Sequence, residues 1–357
     1  MIIVYFLILF CFAIAENIGI IKKRHNTIFI GLLALIVILE SIKFESGVDF
    51  YNSYNHYHNF KNDISTKRYE PLYNTIVYFF STIVKLNYVY FLLIYYGTIY
   101  TLYYFSLHRI TQRTITALLL LFVLTFGYMG SNRQLMALSI VFFAYTVLLK
   151  KNKFVFLLLV LVAFMFHYSA IICLVLLLID FKINSRYWIL LFVSGFALQV
   201  SSLNKYLFDK LIELSHFKPF QDRMQAYYEL NAPMQSNSFF FYLGIIRRIM
   251  PILFIRKLGE IKGFLVEKNQ LINTLCISLA LYLFFWGNFE FINSRIAIYF
   301  VIFEIYVFLW ILDYYKNSKF EKIVIFAICS YALVLFLRYL LIEPKHFIPF
   351  KTIFFQF

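Results

Sequence analysis

Apolar residues gather in long runs separated by short polar breaks. The runs fall at 1–20, 27–44, 88–107, 114–129, 132–149, 154–180, 187–202, 239–256, 270–288, 296–313 and 320–342, with a weaker one at 71–86. A helix needs roughly 20 apolar residues to cross a bilayer, and a barrel strand only about 9–11. Lipid offers no hydrogen-bond partners, so a spanning segment must satisfy its backbone internally, and runs of this length do so as helices. The pattern predicts an all-α polytopic integral membrane protein with about 10–12 transmembrane helices. It shows no internal repeat and no separable soluble domain, so residues 1–357 are expected to form a single transmembrane domain.

Composition sharpens this picture. Of 357 residues, 62% are hydrophobic and 14% charged, against about 45–50% and about 25% in soluble domains. That balance excludes a soluble enzyme, a secreted disulfide domain, a disordered tail and a transcription factor. Lys and Arg number 33 against 18 Asp and Glu, a formal charge of +15. Cytoplasmic loops of membrane proteins collect Lys and Arg, so the excess reads as topology and no nucleic-acid partner is expected. Cys11, Cys173, Cys276 and Cys329 all lie inside apolar runs without metal or disulfide spacing.

Orientation follows from the basic breaks. Ala13-Ile14-Ala15 mimics a signal-peptide cleavage site, but no basic segment precedes it and Lys22-Lys23-Arg24 follows it. An uncleaved first span with Lys22–Arg24 in the cytoplasm is therefore expected. Segment 45–70 is then external. If 71–86 is re-entrant, His108–Arg113 is cytoplasmic, Arg133 external, and Lys150, Lys151 and Lys153 cytoplasmic. Breaking 154–180 near His167 keeps Lys182, Arg186, Arg256, Lys257, Lys316 and Lys319 inside. Segment 203–238 mixes Lys205, Lys210, Lys218 and Arg223 with Phe, Leu and Tyr, and reads as an external amphipathic stretch.

Charges at membrane depth are expensive and mark functional candidates. In this topology Asp49, Arg133, His167, Glu290 and Arg295 converge on the outer half. Arg133 and Gln134 follow Gly130-Ser131-Asn132, where Ser or Asn caps a helix whose N-terminus favours an anion. Arg295 repeats the arrangement after Asn293-Ser294. Two such arginines suit a diphosphate, gripped by forked charge-assisted hydrogen bonds. Arg248, in the pair Arg247-Arg248, is a further substrate-binding candidate. His167 lies at the expected helix break, where irregular backbone is tolerated only against protein or a wet cavity. Asp49, followed by Tyr51 and Tyr54, suits a sugar: rings cover its apolar faces and the carboxylate accepts from hydroxyls. There is no Asp-x-Asp pair, phosphate-cradling Gly-rich loop, His-Glu-x-x-His zinc signature or Gly-x-Ser-x-Gly elbow. No metal and no cofactor are expected.

An ordered set of short motifs resembles the EpsG-like family of Wzy-type bacterial polysaccharide polymerases. It comprises Gly47-Val48-Asp49 with Tyr51 and Tyr54, Glu70-Pro71-Leu72-Tyr73, Asn132-Arg133-Gln134 with Ala137, Lys153-Phe154, Phe166-His167-Tyr168-Ser169-Ala170, and Ser294-Arg295 with Tyr299-Phe300. Ile348-Pro349-Phe350-Lys351 resembles that family's end. The resemblance implies a GT-C-like lipid-linked glycosyltransferase in the bacterial cytoplasmic (inner) membrane. It would join undecaprenyl-diphosphate-linked oligosaccharides into O-antigen, capsule or exopolysaccharide, with a chain-length regulator among the partners it allows. In that scheme Asp49, His167, Arg133 and Arg295 are the catalytic candidates. Arg248, Gln134, Tyr51 and Tyr54 are the substrate-binding ones. An O-antigen ligase-type transferase and a flippase or transporter of lipid-linked sugars are the alternative readings.

Overall fold

A computed structural model describes residues 1–47, 49–60, 69–179, 181, 183–214, 221, 238–258, 268–286, 290–342, 344–348 and 351–352. In chain order the helices are α1 (Ile2–Ile18), α2 (His25–Ile42), α3 (Phe50–His58), α4 (Pro71–Tyr78), α5 (Tyr88–Ile110), α6 (Thr114–Thr125), α7 (Asn132–Leu148) and α8 (Lys153–Phe166). They continue as α9 (Ser185–Val200), α10 (Leu203–Leu214), α11 (Ser238–Lys257), α12 (Lys268–Phe285), α13 (Glu290–Val301), α14 (Glu304–Tyr314), α15 (Glu321–Ile342) and α16 (Pro344–Phe347). Among the described residues there is no strand, only one isolated bridge, Lys43 with Thr352. Apart from Gln221, the 203–238 stretch beyond α10 lies outside the described residues up to 237, as does the side chain of Glu290.

The helices track the apolar runs closely. Lys22–Ile42, Arg295–Tyr314 and Glu321–Leu341 are long and apolar enough to cross a membrane, and six shorter apolar helices accompany them. The rest fall short of that criterion for physical reasons. A 17-residue helix such as α1 is about 25 Å long against a hydrocarbon core of about 30 Å. The 23-residue α5 is lowered in hydropathy by its tyrosines. Exposed side chains fit a lipid surround: Phe326 is 73% exposed and Ile323 62%, a poor arrangement in water.

Packing groups the described residues into two units, 1–174 with 311–357, and 175–310. In the first, α6 and α7 are apolar on every side and buried almost throughout, as expected of helices enclosed by others. Gly19, at φ 86°, ends α1 in a left-handed turn, with Gly19 N and Ile20 N donating back to Glu16 O and Ala15 O. The Glu16 carboxylate then accepts from the first amides of α6, Ile115 N at 3.0 Å and Thr116 N at 2.8 Å, and lies 2.6 Å from His25 Nε2. Arg113 joins this cluster through Asn17 and Asp313. A second polar cluster, around Glu40 and Lys43, occupies the opposite end of α2.

That second end is tied down by the tail. Phe44 N donates to Lys351 O, Lys351 N donates to Ser46 Oγ, and Lys351 Nζ lies 2.7 Å from Glu45 Oε2. Phe347 stacks on Phe126 at 4.5 Å. The Lys351 ammonium, with Tyr51 assisting, holds the Glu45 carboxyl below its ordinary value, and Glu45 in turn raises Lys351. The Glu45 contribution is present above the unfolded carboxyl value of about 4.3 and is lost as pH falls through the lowered one. The Lys351 contribution is full below about 10.4 and is lost as pH rises through the raised one. Carboxypeptidase resistance of the tail is therefore expected to be flat across this window and to fall on both sides. A Glu45→Gln protein should lose the acid limb, and an unchanged acid limb would refute the assignment.

In the unit 175–310, α12 is the central element. Leu271, Leu275, Cys276, Leu279 and Tyr282 are buried. Asn273 donates to Ile179 O and Phe181 O and accepts from Trp188 Nε1.

Candidate functional site

Four residues singled out from the sequence, Asp49, Arg133, Gln134 and His167, line one cleft together with Ser53, Ser131 and Asn132. The cleft is shallow, with room for about one water-sized group.

Backbone geometry delivers these side chains. Gly47, at φ 100°, lets the loop after α2 lie against the turn before α7; a Cβ there would overlap the Met129 carbonyl oxygen. Asp49, the residue before α3, thereby reaches Ser131, whose hydroxyl donates to Asp49 Oδ2 at 2.7 Å. This corrects the expectation that Ser131 caps α7. It holds the N-cap position, but its oxygen accepts no backbone N–H of α7 and its hydroxyl is turned to Asp49. The chain breaks at His167 as expected. α8 ends at Phe166, His167 is extended at φ −156° and ψ 115°, and a 3-10 stretch runs from Tyr168 to Leu178. Eleven residues is long for that geometry, which is usually limited to about 3–4. His167 is 6% exposed, and its Nδ1 lies 2.5 Å from Ser169 Oγ.

Arg133 is held on two sides. Its Nη1 donates to Glu70 Oε2 at 2.6 Å, and its guanidinium lies 4.4 Å from the centre of the Tyr69 ring. Glu70 is 3% exposed and immediately precedes α4. The sequence reading gave it no role, although an isolated acid before Pro71 was its visible signal. Two carboxylates, Asp49 and Glu70, accompany the single guanidinium of Arg133, so the site is not basic. An anion must share Arg133 with Glu70, using other N–H groups among the five a guanidinium carries.

Tyr51 and Tyr54 are not among the lining residues. Tyr51 is 57% exposed and lies beside Glu45. Tyr54 stacks on Phe50 at 5.6 Å and packs against Tyr88 and His58. Arg248 and Arg295 belong to the other unit. The Arg248 guanidinium lies 3.9 Å from the centre of the Tyr282 ring, with Nη1 donating to Gly244 O. Arg247 pairs with the buried Glu304 at 3.1 Å. Arg295 is half-buried on α13. Among the described residues no group of His, Cys, Asp and Glu has the arrangement of a metal site.

The family model described as the EpsG family matches residues 23–352. The chain belongs to the EpsG family. The match takes in the Asp49 loop, Glu70, the start of α7, the His167 break and the tail that meets Lys43–Ser46. EpsG is a polysaccharide polymerase-like family, so the cleft belongs to a membrane protein of that type. No curated protein and no solved structure matches the chain.

Proposed function

We propose that this EpsG-family protein polymerises oligosaccharide repeat units carried on undecaprenyl diphosphate, at the outer face of the bacterial cytoplasmic membrane. The reading rests on one observation: in a chain of this family, Asp49, Arg133, Gln134 and His167 line a common cleft. The growing glycan on its lipid diphosphate is the donor, and one repeat unit on its own lipid diphosphate is the acceptor. The acceptor's terminal hydroxyl attacks the donor's anomeric carbon. The bond from that carbon to the diphosphate breaks, and undecaprenyl diphosphate leaves with the electron pair.

In this scheme Arg133 stabilises the charge developing on the bridging oxygen, where a preplaced donor in a low-dielectric site is most effective. Arg248 and Arg295, in the unit 175–310, are proposed as further substrate contacts. The hydroxyl proton goes to Asp49 or His167, and a positioned base contributes about 10²–10⁴ in rate. Diphosphate leaves readily, so the reaction is proposed to run without a metal. A single displacement inverts the anomeric configuration. We also read 71–86 as re-entrant in a GT-C-like arrangement. The Tyr57 hydroxyl donates to Leu86 O at 2.7 Å and the His56 ring stacks 5.8 Å from that of Tyr73, so both ends of the segment meet α3.

Reconstitution with lipid-linked repeat units tests the proposal. A ladder of products is expected. Transfer of a single finished glycan to another lipid would indicate a ligase, and transbilayer movement without new linkages a transporter; either overturns the polymerase. His167→Ala is expected to change the pH–rate profile of ladder formation, and an unchanged profile removes His167 as acid or base.

A further inference from the structure

Within the cleft, the side chain of Asn132 is held by a hydrogen-bond chain that runs in one direction only. Lys43 is 2% exposed, and its Nζ lies 2.5 Å from Glu40 Oε2 and 2.7 Å from the Tyr96 hydroxyl. An ammonium carries donors and no lone pair, so the Tyr96 oxygen accepts from it. The one hydroxyl proton of Tyr96 then points onward, to Asn132 Oδ1 at 2.5 Å. The amide atom facing Tyr96 is thereby fixed as the carbonyl oxygen, and the amino group with its two donors faces away. The Tyr95 hydroxyl donates to the Asn132 backbone carbonyl at 3.2 Å. The two N–H donors of the amide are then available to the cleft that Asn132 lines.

We propose that Asn132 is a substrate-binding residue that donates an N–H to a phosphate oxygen of the lipid diphosphate, beside Arg133. Tyr96 and Lys43 are the positioning residues that lock the amide this way round. A sugar hydroxyl both donates and accepts, and tolerates either end of an amide. A phosphate oxygen only accepts, so a donor whose orientation is set by a buried charge is suited to it. The nature of the substrate rests on the polymerase reading above; the orientation of the amide does not.

The test uses full-length protein in nanodiscs, with inorganic pyrophosphate as the probe and lipid-linked repeat units for kinetics. Asn132→Asp keeps the size and an acceptor for Tyr96, but replaces the donor with an anionic oxygen. It is expected to weaken pyrophosphate binding by about 10- to 100-fold, the range for a hydrogen bond to a charged group, and to raise KM more than it lowers kcat. Tyr96→Phe leaves Asn132 in place and releases its orientation, so a smaller loss in the same direction is expected. Wild-type-like pyrophosphate binding by Asn132→Asp overturns the proposal, as does a wild-type protein that does not bind pyrophosphate. Should Asn132→Asp fail to fold, unchanged binding by Tyr96→Phe overturns it instead. A product ladder together with unaltered Asn132→Asp binding ends this inference and leaves the polymerase standing. Pyrophosphate binding lost in Asn132→Asp, without any wild-type ladder, does the reverse.

Discussion

Arg133→Ala is expected to lower ladder formation about 10²- to 10³-fold, the effect of removing one preplaced donor from a developing anion. In cells this reads as surface glycan collapsed to single or very short repeats at normal protein level. The substitution has a second consequence, because it strands Glu70, whose side chain is only 4% accessible. An uncompensated buried carboxylate costs stability in its own right. Arg133→Ala/Glu70→Gln separates the two effects: it should recover folded protein and leave the catalytic defect. Arg133→Lys should fall between, since an ammonium keeps the charge and loses the planar fork. Long chains from Arg133→Ala at normal abundance would remove Arg133 from the mechanism.

Glu40→Leu should be the most damaging single change to stability. It leaves the Lys43 ammonium buried against the Tyr96 hydroxyl without its carboxylate, and breaking a buried pair from one side costs about 3–5 kcal/mol. The expected result is a large fall in the midpoint of heat-induced aggregation in detergent. Replacing both partners, Glu40→Leu/Lys43→Met, should restore most of that midpoint, because an apolar pair of similar volume often matches a buried ion pair. If Glu40→Leu melts with wild type, the pair carries no stability.

Much of this architecture was legible in the order of the residues. Helix boundaries fell close to the ends of the apolar runs, since lipid leaves the backbone no alternative to internal bonding. The break at His167 followed from the parity of the basic loops. The gathering of Asp49, Arg133 and His167 followed from asking which charges share a depth. The partners of those charges were not legible, because pairing depends on distance in space. Nothing near Arg133 in sequence announces Glu70, 63 residues away, so a half-neutralised guanidinium read as a bare cation. Ser131 was assigned to the helix it precedes and serves Asp49 instead. Glu40 and Lys43 close an apolar run, and only their burial against Tyr96 reveals a structural pair. Tyr51 and Tyr54 carried the pattern of a sugar platform, whereas Tyr54 packs into a ring cluster and Tyr51 turns to Glu45.

The bonds between Ser46 and Lys351 bridge 305 residues of chain. Helices emerge from the ribosome and enter the membrane in order, so α1 to α8 can be in place long before the segment that pins the Asp49 loop has been made. The cleft is therefore completed late in biogenesis, and a nascent chain holding every lining residue would still lack the brace that sets them. A chain stalled or clipped before residue 351 should insert normally and remain inactive, which keeps an unfinished copy from drawing on the pool of lipid-linked sugar.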